Sequence, residues 1–125
     1  MIELSAYKWI HLVGVFFILI SFGALIFRSA SGAELPLFSK RKLSIYHGIG
    51  MLFSLVGGFG MLARLGVTHG EWPTWVSLKF VIWLILGLLI AAVNRIPSRA
   101  ATWWWLILLL AMSAAYLGLH HNSIG

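Results

Sequence analysis

The sequence predicts an all-α membrane protein of four transmembrane helices in an up-down bundle, and three observations carry that reading. Of the 125 residues, 61% are hydrophobic and only 10% charged, with a mean hydropathy of +0.96. No water-soluble domain of this size needs so much apolar surface. The charges are spaced so that four apolar spans lie between them, at roughly 7–28, 43–65, 74–94 and 101–121. Each approaches the about 20 residues that a helix needs to cross a bilayer. The connections are short, which makes neighbouring helices antiparallel. Residues 1–125 read as one domain.

The first span sets the pattern. It opens with Lys8-Trp9-Ile10-His11 and closes at Phe27-Arg28. On a 3.6-residue period, Lys8, His11, Gly14, Ile18, Ser21, Leu25 and Arg28 share one face. Phe16, Phe17, Leu19 and Ile20 lie on the others and suit lipid. An ionisable side chain in a membrane is costly and turns inward, so His11 is expected to face the protein interior. Ser29-Ala30-Ser31 resembles a small-residue cleavage site, but the apolar run is too long for a signal peptide and its positive charges follow it. The span reads as a retained helix.

The second span repeats this logic, with Ser44, His47, Gly50, Ser54, Gly57, Met61 and Arg64 along one face. Its glycines and serines permit close helix approach. The Gly-Gly-Phe-Gly run from Gly57 to Gly60 reads as helix packing, because no Walker-type lysine follows it. The third span carries Lys79 about one turn in, with Trp75 and Trp83 four residues to either side. In the fourth, Ala111, Ala114, Gly118 and His121 form a small-residue face, while His120 points about 100° away. Pro36, Pro73 and Pro97 fall in loops or at helix starts, where a missing N–H costs little.

Charge sets the expected orientation. Arg28, Lys40, Arg41 and Lys42 flank the first loop, and Arg95 and Arg99 the third. The positive-inside rule puts both loops in the cytoplasm of a bacterial inner membrane, with both termini and the Arg64–Glu71 loop outside. Trp9, Trp72 and Trp75 then fit an outer aromatic belt, and Trp103-Trp104-Trp105 an inner one. The net charge of +6 belongs to span ends and not to a nucleic-acid surface. With no cysteine, thiolate chemistry and disulfides are excluded. The only acidic side chains are Glu3, Glu34 and Glu71, all outside the apolar runs, so an intramembrane carboxylate pair for acid/base work is not expected.

Depth decides which ionisable residues can cooperate. His11, Lys79, His120 and His121 fall in the outer half, with Arg64 at the same end. Aligning Arg28 with Lys42 sets His11 level with about Phe59, roughly 18 Å in depth from His47. One metal ion cannot bridge that distance. Imidazoles at similar depth, with small residues and cations nearby, suit haem b: His11 and His121 as metal ligands, with Lys79 and Arg64 beside the propionates. His120 is a second candidate on the fourth span. A copper site or a quinone pocket would use the same residues, and a non-catalytic helical subunit would use the His/Lys stripe only for packing. His47 is left without a partner at its depth. Its glycine-rich face is expected to line an interface, as in a homodimer, with His47 hydrogen-bonding or ligating a cofactor across it; the alternative is a hydrogen bond within its own bundle, for instance to Asn94 or neighbours on the Tyr46 side.

The order of these residues resembles the SirB family of small bacterial membrane proteins. The matching pieces are Lys8-Trp9-Ile10-His11, His47 ten residues before Gly57, Trp75-Val76-Ser77-Leu78-Lys79, and His121-Asn122. The resemblance spans nearly the whole chain through short motifs. It implies the four-helix fold and nominates His11, His47, Lys79 and His121. The Lys-x-x-His and Trp-x-x-x-Lys pieces also resemble HemJ, the membrane protoporphyrinogen oxidase. This second likeness implies haem-linked porphyrin chemistry or electron transfer, with a membrane redox partner. The chain is shorter than HemJ and adds histidines in the second and fourth spans.

Overall fold

The computed structural model describes residues 3–32, 36–67 and 71–120, and these form four long helices. They are α1 (Leu4–Ser31), α2 (Lys40–Arg64), α3 (Thr74–Arg95) and α4 (Ala100–Leu119), with 3₁₀ turns at Pro36–Phe38 and Pro97–Arg99. All four spans, taken with the turn before α4, are long and apolar enough to cross a membrane. Large side chains on their outer surfaces are exposed, Ile20 at 71%, Leu88 at 74% and Leu119 at 81% among them. So much contiguous apolar surface fits a lipid surround and not water.

Local chemistry sets the helix ends. Gly32, at φ 68°, adopts the left-handed conformation that closes α1, and its N–H reaches Arg28 O at 3.0 Å. Ser39 caps α2 by accepting from the Lys42 N–H at 3.2 Å. Pro73 precedes α3 and Pro97 opens the turn before α4, which matches the expected placement of the prolines. α4 stops at Leu119, one or two residues before the expected end, and His120 becomes its C-cap.

The tightest seam joins α1 and α2, antiparallel. A Cβ at Gly14 would lie 2.7 Å from Gly50 O, and one at Gly50 would lie 2.7 Å from Gly14 O. Gly57 meets the backbone of His11, and Gly60 meets the ring of Tyr7. The face expected on α1 is the buried one, with Gly14, Ile18, Ser21 and Leu25 buried on it and Phe22 and Ile26 beside them. α3 lies antiparallel to α2, Leu86 beside His47 and Trp83 beside Ser54, and α4 packs against α3 and α1. The connected core is Ile18, Phe22, Leu25, Ile26, Leu43, Met51, Leu86, Leu89, Val93 and Ile107. All of these lie in the half of the bundle that carries the basic loops. Towards the end bearing the termini, no described residue of α4 beyond Ile107 is buried.

Candidate functional site

His11 sits in the less densely packed half, half-buried on α1. Gly57 and Gly58 of α2 lie opposite it, within two residues of the level expected from sequence. Its Nδ1 is 2.8 Å from Ser54 O. A carbonyl oxygen can only accept, so Nδ1 carries the proton and Nε2 keeps its lone pair. Ser54 is itself held: its hydroxyl donates to Met51 O at 2.9 Å and accepts from Trp83 Nε1 at 3.2 Å, while the same indole N–H also reaches Met51 O at 3.1 Å. α3 thus clamps the turn of α2 that orients the His11 ring.

Lys79 comes close enough to His11 for the two to interact electrostatically. It does not snorkel away from the bundle. Its Nζ would lie 3.0 Å from a Cβ placed on Gly118, so the ammonium rests against the last turns of α4, where helix carbonyls favour a cation. Beside it an aromatic cluster links Phe59, Trp72, Phe80 and Trp83, with ring centroids 5.6–6.3 Å apart. Trp72, just before α3, is therefore packed against Phe59 and Phe80.

His47 takes the second of its two expected arrangements, a hydrogen bond within the bundle, but with another partner. It is 3% exposed, its Nε2 donates to Leu86 O at 3.1 Å, and the Phe22 ring meets it edge-on at a centroid distance of 4.7 Å. The glycine-rich face expected to reach another copy is filled by α1 of the same chain. Asn94, two helical turns beyond Leu86, is not its partner. Eleven residues of α1 separate the level of His11 from that of Phe22, roughly 16 Å, so the two histidines stay apart as anticipated.

The remaining candidates are dispersed. Arg64 is exposed at the end of α2. His120 is exposed, bonds Tyr116 O through Nδ1 at 3.1 Å and stacks on the Tyr116 ring at 4.2 Å. The early stop of α4 turns it back along its own helix. His121 and His69 lie outside the described residues. Among the described residues no three His, Asp or Glu side chains gather as a metal-binding group.

Sequence reasoning placed Ser54 on the packing stripe and Trp83 near Lys79 but missed both as partners of the His11 assembly. The available signal was an indole N–H in mid-span, which needs a buried acceptor. Comparison with protein-family models, curated proteins and solved structures finds no match to this chain.

Proposed function

We propose that this chain is an integral protein of the bacterial cytoplasmic membrane that holds haem b at His11, for electron transfer or porphyrin redox chemistry with a membrane redox partner. The observation that carries the reading is the fixed tautomer of His11. Donation of Nδ1–H to a backbone carbonyl is the second-shell arrangement that orients an imidazole for iron and raises its basicity. It leaves Nε2 as the donor atom. Haem, when bound, supplies one-electron chemistry at its iron.

The fit has a definite side. Gly14, Gly50 and Gly57 face backbone atoms, so the α1–α2 seam has no room for a macrocycle. A haem would have to approach His11 from the less densely packed half towards α3 and α4, where Lys79 would supply a cation for a propionate. Arg64, at the same end, serves as a second. In this reading His11 and His121 would hold the haem, and His47 is a packing residue. A quinone is supported less well, because the His11 proton is committed to Ser54 and only Lys79 remains to donate to its carbonyl. The order of His and Lys residues supports SirB-like membership as part of the same proposal.

Protein purified from bacterial membranes should show a Soret band. His11→Ala should abolish it or shift it strongly, since an axial ligand is lost. A folded but colourless wild-type preparation would overturn the proposal and favour a non-catalytic helical subunit. Orientation is tested separately. Alkaline phosphatase fused after Gly125 should be active if the termini lie outside the cytoplasm, whereas a fluorescent cytoplasmic-type fusion would reverse the topology.

A further inference from the structure

The described part of the chain has three buried side-chain polar atoms without a hydrogen-bond partner: Arg28 Nε, Ser29 Oγ and Asn94 Oδ1. All three lie at about one depth. α1 and α3 run in the same direction, and His47 sets their register by contacting Phe22 on one and Leu86 on the other. Counting forward from those contacts, Asn94 comes level with Ala30, within about 3 Å in depth of Arg28 and Ser29. The Pro97–Arg99 turn packs against α1 at this end. Arg95 and Arg99 are both exposed there. Trp103 fixes the turn by donating to Ile96 O at 2.9 Å, and Trp104 lies over Gly23 of α1.

Buried polar groups in folded proteins are almost always paired, so three orphans at one level point to a missing partner. Arg28 and Ser29 offer donors, while Asn94 Oδ1 needs one. A phosphodiester oxygen would satisfy the first two, and an adjacent hydroxyl the third. The neighbouring Arg95 and Arg99 favour an anion and oppose a headgroup bearing its own ammonium. Arg28, Ser29 and Asn94 are each only half-buried as residues, so a side-chain rotation brings these atoms to the surface. We infer that the C-terminal ends of α1 and α3 together bind one anionic phospholipid with a hydroxylated headgroup, of the phosphatidylglycerol type. This site is independent of any cofactor at His11.

The test uses full-length protein, delipidated in a non-ionic maltoside detergent. Native mass spectrometry and the thermal unfolding midpoint are recorded with phosphatidylglycerol, phosphatidylethanolamine, phosphatidylcholine or inorganic phosphate. Phosphatidylglycerol should leave one retained lipid and raise the midpoint, and the other three should do neither. Arg28→Gln should weaken phosphatidylglycerol binding about tenfold, and Arg28→Lys nearly as much, because lysine has no Nε–H fork. Arg41→Gln, an exposed cation on α2, should bind like the wild type. Ser29→Ala gives a milder loss and serves if Arg28→Gln fails to fold. Equal binding of all three lipids, an equal shift by phosphate alone, or undiminished binding by the Arg28 and Ser29 variants would overturn the inference.

Discussion

Gly14→Ala should unseat α1 from α2, among the largest effects expected of any single methyl group along this seam. The added Cβ would meet Ser54 N and lie 2.7 Å from Gly50 O and 2.9 Å from Phe53 C. These are backbone atoms of a helix, so they cannot swing aside. Overpacking of this kind costs about 1–3 kcal/mol. A seam held mainly by close van der Waals contact has little else to offset the loss. Gly48→Ala provides the matched control, because a Cβ there meets nothing within 4 Å. It should be neutral or stabilising by up to about 1 kcal/mol, the helix-propensity difference between glycine and alanine. Unfolding titrations of the two variants in mixed detergent micelles decide the matter. Equal stability would show that the α1–α2 approach is looser than described. The same displacement would carry His11 away from Ser54 O, so Gly14→Ala should also weaken any cofactor band.

His47→Ala should destabilise the protein by about 2–4 kcal/mol, in the range of large-to-alanine core truncations. The ring is 3% exposed and fills the space between Phe22 and Leu86. Its hydrogen bond contributes the smaller part, since such bonds in membranes average about 0.6 kcal/mol. Most of the loss is packing. Because this face of α2 is covered by α1 and α3 of the same chain, the detergent-phase particle size should stay unchanged. The absorption spectrum should also match the wild type. A lost Soret band in His47→Ala would make it a ligand after all, and a smaller particle would restore an intermolecular role for this face.

Much of this architecture was legible without coordinates. Bilayer thickness and the positions of charges fixed the four spans, and the helical period selected the buried face of α1, Gly14 through Leu25. The level of His11 opposite Gly57 and Gly58 followed from anchoring α1 and α2 by basic residues at one boundary. A 1.5 Å rise per residue leaves little freedom once that boundary is set. The small residues of α2 were legible as a contact surface, because glycine and serine have few other uses at that spacing in a span.

What the sequence alone determined is therefore the arrangement along the helix axes: the four spans, the relative depth of their residues and the inward faces of α1 and α2. The tertiary structure decided the arrangement around it. His47 could be placed in depth but not assigned to Leu86, and His11 could not be assigned to Ser54. Both acceptors are backbone carbonyls, which every residue carries and no side-chain pattern marks. Which carbonyl a histidine reaches depends on the rotation of the neighbouring helix, and that rotation is set by many packing contacts at once. Along α4 only Ile107 among the described residues is fully buried, although Leu110 still packs against the core and Gly118 faces Lys79, and His120 caps the helix by bonding to and stacking on Tyr116.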